Sequence, residues 1–246
     1  MKTTGNTIFL TGGTSGIGLG LARRFRDLGN TVVISGRRKD LLDQLAADEG
    51  FGTVELDVAD PASIAAAYES VTTRYPETNV LITMAGVMRG EDLLDPAHLE
   101  TAEEAIEINL LGTIRSITKF LPFLLDKPEA TIVTVSSGLA FTPLVVTPTY
   151  NATKAAVHSY SEALRAQLRG TNVQVMELVP PAVQTYLFEG KAPDPSWMPL
   201  EEYVDGTMQA FADQPDAHEV LFGVGFLRNS ELENRYAETF ATLNNH

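Results

Sequence analysis

The chain has 246 residues, 44% of them hydrophobic and 20% charged, proportions that suit one large α/β domain. Its 18 basic residues stand against 32 acidic ones, and the net charge of −14 argues against a nucleic-acid surface or an anionic membrane as partner. Cysteine is absent, which excludes disulfides and thiolate chemistry, and no segment is read as apolar and long enough to cross a bilayer; a soluble, cytoplasmic protein is expected.

Residues 7–10 are an apolar run of strand character that leads into Thr11-Gly12-Gly13-Thr14-Ser15-Gly16-Ile17-Gly18. Ile17, Leu21, Phe25 and Leu28 then recur on one face of a helix. Strand, glycine-rich turn and helix together present backbone N–H groups and a positive dipole end to a phosphate. Gly12 suits a sharp turn, Gly16 a close approach to a pyrophosphate, and Gly18 a helix packed close to the sheet. The spacing G-x-x-x-G-x-G is neither the dinucleotide G-x-G-x-x-G nor a P-loop, and alone it also describes an ordinary tight βα turn.

Further strands are expected over 31–35, 53–56, 80–83, 131–135 and 173–178, with a short last one over 220–222. Helices are expected over 39–47, 149–169, 200–212 and 230–243, and after Asp60, which precedes Pro61 as a helix cap. A long helical region runs over 96–125, with Ile106, Leu110, Ile114 and Ile117 at helical spacing. This alternation implies right-handed crossovers and a doubly wound, Rossmann-type parallel sheet of about seven strands with helices on both faces, a three-layer sandwich in one domain over 1–246. Ligands bind such sheets beyond the carboxyl ends of the strands. The glycine loop, Asp57, Ala85-Gly86, Ser136-Ser137 and Pro180-Pro181 all follow strand ends.

Tyr150 and Lys154 stand four apart on a helix, so phenol and ammonium share a face. A cation beside a phenol favours the phenolate and draws its pKa from about 10 toward the working range. The pentapeptide alone more often describes an exposed Tyr–Lys pair of no consequence. Ser137 ends a strand, where its hydroxyl could donate to a carbonyl oxygen becoming an alkoxide or simply close a polar turn.

T-G-x-x-x-G-x-G from Thr11 to Gly18, then Asp57, Ala85-Gly86, Asn109, Ser137 and Y-x-x-x-K at Tyr150 and Lys154, in that order, resemble the short-chain dehydrogenase/reductase family along nearly the whole chain. The opening segment is similar to a bacterial subgroup named after an oxidoreductase of the D-alanylation operon. The resemblance implies that Tyr150 is general acid in carbonyl reduction and base in alcohol oxidation, and that Ser137 orients the carbonyl. It implies that Lys154 lowers the Tyr150 pKa and binds the nicotinamide ribose, and that Asn109 holds a water linking Lys154 to solvent. Asp57 is implied to bond the adenine amine with Val58 beside it. Thr11, Thr14, Ser15, Ile17, Ala85, Gly86, Pro180, Val183 and Thr185 complete the cofactor cleft. Two positions depart from the family pattern: Asn-Asn-Ala-Gly is here Thr83-Met84-Ala85-Gly86, and Pro-Gly after the sixth strand is Pro180-Pro181, which lacks an N–H.

An acid ending the second strand would bind a ribose 2′-hydroxyl and repel a 2′-phosphate. Here that turn reads Ser35-Gly36-Arg37-Arg38-Lys39, so NADPH is expected over NADH, with Arg37 as the main contact and Ser35 and Arg38 in support. Candidate substrate walls are Leu139, Leu144, Tyr186, Leu187 and Trp197, the last three on a substrate-side loop over 180–200 read as a mobile lid. Their apolar character suggests a hydrophobic ketone, aldehyde or alcohol; Arg89 could meet an anionic substrate, but a surface role is the expectation. The resemblance implies a homodimer or homotetramer, with Tyr236, Phe240 and Leu243 as a second contact or a core face. A catalytically silent NADP-binding sensor on the same fold is the alternative, and the intact Ser137, Tyr150, Lys154 and Asn109 weigh against it. An epimerase or dehydratase would want a larger C-terminal part. His98, His158, His218 and His246 are scattered, so no metal site is expected, and His158 is read as a packing or surface residue.

Overall fold

The computed structural model describes residues 1–224. The helix expected over 230–243, with Tyr236, Phe240 and Leu243, and His246 lie outside the described residues. Seven parallel strands form one sheet: β1 (Thr7–Thr11), β2 (Thr31–Gly36), β3 (Gly52–Glu55), β4 (Thr78–Thr83), β5 (Ala130–Val135), β6 (Val173–Leu178) and β7 (Glu219–Val220), in the order β3-β2-β1-β4-β5-β6-β7. The order reverses between β1 and β4, where a crevice opens beyond the strand ends.

Period-two alternation along each buried strand divides the interior into two cores. Ile8 and Leu10 point to the face covered by α1 (Gly16–Asp27), α2 (Lys39–Glu49) and α7 (Leu200–Asp213), represented by Phe25, Leu42 and Phe211. Phe9 points to the other face, where Ile64 of α3 (Pro61–Arg74), Phe120 of α5 (Gly112–Leu125) and Leu164 of α6 (Pro148–Gln167) pack against it. Phe9 and Phe120 stack with ring centroids 5.1 Å apart. Asp60 caps α3 as its position before Pro61 predicts, accepting a 2.8 Å bond from the Ala62 N–H.

The helical region expected over 96–125 is interrupted. It begins as α4 (His98–Ala105), loosens into a π-helical turn over Ile106–Leu111, and resumes as α5. The turn carries the buried Asn109, and a Cβ on Gly112 would lie 2.9 Å from the Val58 side chain. A single-turn π segment shifts the register of the side chains it carries. The bilayer expectation needs correction: His98–Leu125 is long and apolar enough, by length and composition, to cross a membrane. The stretch puts Ile117, Phe120 and Leu124 into the sheet's second core.

Candidate active site

The glycine loop is shaped by close backbone approach. Gly12 has φ +70°, and a Cβ there would lie 2.7 Å from the Ala85 Cα. The Gly18 expectation is refined: its missing Cβ admits the Gly12 carbonyl, 2.4 Å from where that atom would stand, so the helix start closes on its own loop. Thr11 Oγ1 accepts from the N–H groups of Met84 and Ala85 at 3.1 and 3.2 Å. That hydroxyl ties the ends of β1 and β4 together across the departure at Met84. Ser15 occupies the N-cap of α1 without a side-chain capping bond, and the first turn carries no acid. The helix therefore presents its positive end to the crevice.

At the end of β2 the cationic turn is narrower than expected. The Ser35 side chain is fully buried and its hydroxyl donates to the Leu10 carbonyl at 3.4 Å, turned into the sheet. Lys39 pairs with Asp43 at 2.7 Å and does not line the crevice. Of this turn's cations, Arg37 and Arg38 remain exposed on the crevice wall. Asp57 accepts from the Ala59 N–H at 3.0 Å, and it lines the crevice with Val58.

On the other side of the crevice, Ser137 caps the short turn Gly138–Ala140, accepting from the Leu139 N–H at 3.2 Å, and its side chain is hydrogen-bonded to that of Tyr150. Tyr150 sits in the first turn of α6, whose start is fixed by Pro148 and by Glu91: the Glu91 carboxylate accepts from Thr149 N at 3.0 Å and from Thr149 Oγ1 at 2.7 Å. Lys154 Nζ donates to the Val135 carbonyl at 2.8 Å and lies 5.6 Å from the centre of the Tyr150 ring. Both side chains are buried. The expected depression of the phenol does not hold in this structure: burial pushes Tyr150 up to about 12, only partly opposed by its Ser137 bond. Burial likewise draws Lys154 down to about 8 against the upward pull of the Glu177 carboxylate. Asn109 is committed to the backbone beyond β4. Its Oδ1 accepts from Val87 N at 2.8 Å, and its Nδ2 donates to Val87 O at 2.9 Å and to Thr153 Oγ1 at 3.2 Å.

These features open into one cavity of about 1290 Å³. Gly12, Thr14 to Gly18, Ser35, Arg37, Arg38, Asp57, Val58, Ala85, Gly86, Pro180, Val183 and Thr185 line it, as do Ser137, Tyr150 and Lys154. Leu139, Leu144, Tyr186, Leu187 and Trp197 line it too, whereas Asn109 stands behind its wall. The substrate-side loop is tied down at two points: Val183 bridges Met198, and Phe188 bridges Met88, with Glu189 N donating to Met88 O at 3.0 Å. Arg89 is not a lone surface cation; it bridges Glu189 of that loop and Glu104 of α4.

The structure adds groups the sequence does not single out. Glu91 is one. Another is a cluster in which His158, Glu177 and Glu219 bring their ligand atoms within 4.8 Å of one another, correcting the expectation of a scattered histidine. Among the described residues this is the grouping with metal-like spacing. The Glu177 carboxylate already takes a Ser136 hydroxyl and the His158 ring, which makes the centre of the cluster a carboxylate–imidazole pair. Glu177 and Glu219 are register partners across β6 and β7, and His158 stands one helical turn beyond Lys154 on α6.

The chain matches the short chain dehydrogenase family over residues 6–196 and belongs to it. It is 44% identical over 189 residues to DltE of Bacillus subtilis, an uncharacterized oxidoreductase, covering 76% of this chain and 75% of that one. It is 33% identical over 178 residues to the NADP-dependent 3-hydroxy acid dehydrogenase YdfG of Salmonella typhimurium, covering 70% and 71%. Among solved structures, a short chain dehydrogenase from Burkholderia cenocepacia in complex with NADP superposes with a TM-score of 0.81 at 26% identity, covering 99% of this chain and 97% of that one. Other similar structures hold NADPH or NADH. The chain is thus an oxidoreductase of this family, of the DltE type.

Proposed function

We propose that the protein is an NADPH-dependent carbonyl reductase and alcohol dehydrogenase acting on a hydrophobic ketone or aldehyde and its alcohol. The observation that carries this reading is the hydrogen-bonded Ser137–Tyr150 pair, with Lys154 behind it, opening into the same cavity as the glycine loop and the Arg37–Arg38 turn. The cavity's 1290 Å³ exceeds the range of about 300–1,000 Å³ usual for one small ligand, which leaves room for a dinucleotide and a substrate together.

The residues present fit the dinucleotide. The uncapped start of α1 and the glycine cradle suit its pyrophosphate, Asp57 and Val58 its adenine, Arg37 and Arg38 a 2′-phosphate, and Lys154 the nicotinamide ribose. When bound, the nicotinamide supplies or accepts the hydride. The Ser137 hydroxyl orients the substrate oxygen and stabilises charge developing on it. Tyr150, held up at about 12, is protonated at neutral pH and is set to give its proton to that oxygen. Lys154, down at about 8, is still largely charged at neutral pH and favours the phenolate that results. Asn109 fixes the Val87 backbone and Thr153, and with them the wall behind the lysine. Leu139, Leu144, Tyr186, Leu187 and Trp197 shape an apolar substrate end. By the same reading the protein works in the cytoplasm as a homodimer or homotetramer, which sedimentation tests.

The deciding experiment is a panel of apolar ketones and aldehydes offered with NADPH and with NADH, repeated with Tyr150→Phe. Turnover with NADPH that the variant loses supports the assignment. NADPH binding without turnover of any carbonyl or alcohol overturns it in favour of the silent sensor, whose supporting observation is the raised phenol.

A further inference from the structure

Behind Lys154, on the side away from the cavity, lies a group of ionisable side chains with no part in the chemistry just described. Glu177, on β6, is fully buried. Its carboxylate accepts from the Ser136 hydroxyl, and His158 Nδ1 lies 2.9 Å from its Oε2 and 3.1 Å from its Oε1. His158 stands on α6 one turn beyond Lys154, so the two share the helix face that packs on the ends of β5 and β6. One turn is a rise of about 5.4 Å, short enough for charges in a protein interior to feel each other strongly. Ser136 is the residue between the Val135 carbonyl that receives Lys154 and the Ser137 that meets Tyr150. The carboxylate is therefore fastened to the same short segment that holds the lysine and the serine.

We propose that Glu177 is a positioning residue of this site, a buried anion clamped by Ser136 and His158 that holds the Lys154 ammonium charged and in place behind Tyr150. It rests on the role given to Lys154 above. A buried ammonium bonded to a neutral carbonyl alone is costly, and the charge of the neighbouring Glu177 carboxylate, which pulls the Lys154 pKa upward, offsets part of that cost. The carboxylate is itself stabilised by two donors rather than left as an isolated buried charge. The groups facing His158 come from every neighbouring element: Lys154, Glu162 and Arg165 on α6, Glu177 on β6 and Glu219 on β7. Glu162 lies 3.8 Å from Nε2, and Glu219 lies 3.8 Å from Nδ1. Arg165 donates to the Val175 and His218 carbonyls at 3.1 and 2.9 Å, so its charge borders the same cluster. Of these acids, Glu177 is the one whose charge acts on Lys154.

The test reads Lys154 directly. In protein selectively labelled at the lysine ε-carbon, with the resonance assigned by its absence in Lys154→Arg, the Lys154 titration is followed without cofactor or substrate. Wild type is expected to titrate at about 8. Glu177→Gln, which keeps the size and removes the charge, is expected to lower that midpoint by about one unit. Glu177→Asp, which draws the charge back by one methylene, should fall between the two. If Glu177→Gln is too unstable to label, Glu177→Asp decides alone: a lowered midpoint supports the proposal, and an unchanged one overturns it. A folded Glu177→Gln with Lys154 titrating as in wild type also overturns it, as does an Asp variant indistinguishable from Gln. Because nothing is turned over, failure of the carbonyl panel would leave this measurement standing, and the reverse holds as well.

Discussion

The two ends of the cavity are built by different means. The cofactor end is mostly backbone: a turn at Gly12, a helix start without a capping side chain, and a loop whose Gly13 N–H donates to Ser35 O at 3.0 Å. The catalytic end is mostly side chain, and its parts come from distant positions. Glu91 sets the start of the helix that bears Tyr150, Ser137 arrives from β5, Asn109 from a π turn, and Glu177 from β6. A site made of backbone tolerates change in side-chain identity but not in backbone freedom. A site made of buried charges tolerates small shape changes but not the loss of a partner.

The sharpest break in that comparison is Tyr150→Phe. It removes one hydroxyl from the catalytic end, so carbonyl reduction should fall by about 10²–10⁴-fold. NADPH affinity, measured by fluorescence titration, should stay near wild type because the other end is untouched. A variant that loses both would show that the two ends are not separable. Next in size is Arg37→Asp. It replaces a cation on the cavity wall with an anion and is expected to reverse the ratio of catalytic efficiencies with NADPH and NADH, a swing of at least about tenfold. Unchanged discrimination would remove Arg37 from the cofactor end.

Gly12→Ala probes the backbone half itself. An L-residue at φ +70° carries a penalty of about 1–2 kcal/mol, and the new Cβ would lie 2.7 Å from the Ala85 Cα. The chain should melt several degrees lower and bind NADPH about tenfold more weakly, while Lys154 titrates as in wild type. If binding is unaffected, the close approach at Ala85 is not what shapes the cradle.

The same contrast explains what the sequence made legible. β1, the glycine loop and α1 are read from residues within a span of twenty, because apolar alternation and glycine spacing are local rules. The sheet order follows from alternating strands and helices for the same reason. Ser137, Tyr150 and Lys154 are legible as a spaced motif. What surrounds them is not: Glu91 follows Gly90 with nothing to mark it as the acceptor for Thr149, more than fifty residues on. Tyr150's upward shift is equally hidden, because helical spacing places the ammonium on the phenol's face but says nothing of burial. The π turn at Asn109 leaves the apolar spacing of its helix nearly intact, so the pattern reads straight through it.

The smallest expected effect isolates one charge in the side-chain half. His158→Gln keeps a hydrogen-bond donor toward Glu177 and removes the imidazolium along with its ring contact on Phe141. Burial would lower the His158 pKa, but its bond to Glu177 and the charges of Glu177, Glu162 and Glu219 outweigh that and raise it above its ordinary 6.5. A group whose folded pKa is raised adds stability that is complete below its unfolded value and lost as pH rises through the folded one. Wild type should therefore exceed His158→Gln by on the order of 1 kcal/mol in mildly acidic buffer, about 2–4 °C in Tm for a chain of this size. The gap should narrow as pH rises through the raised folded value. A gap that is constant across pH would mean that the ring contributes packing, including its edge contact with Phe141 at 4.8 Å between centroids, and that the imidazolium adds nothing to the cluster.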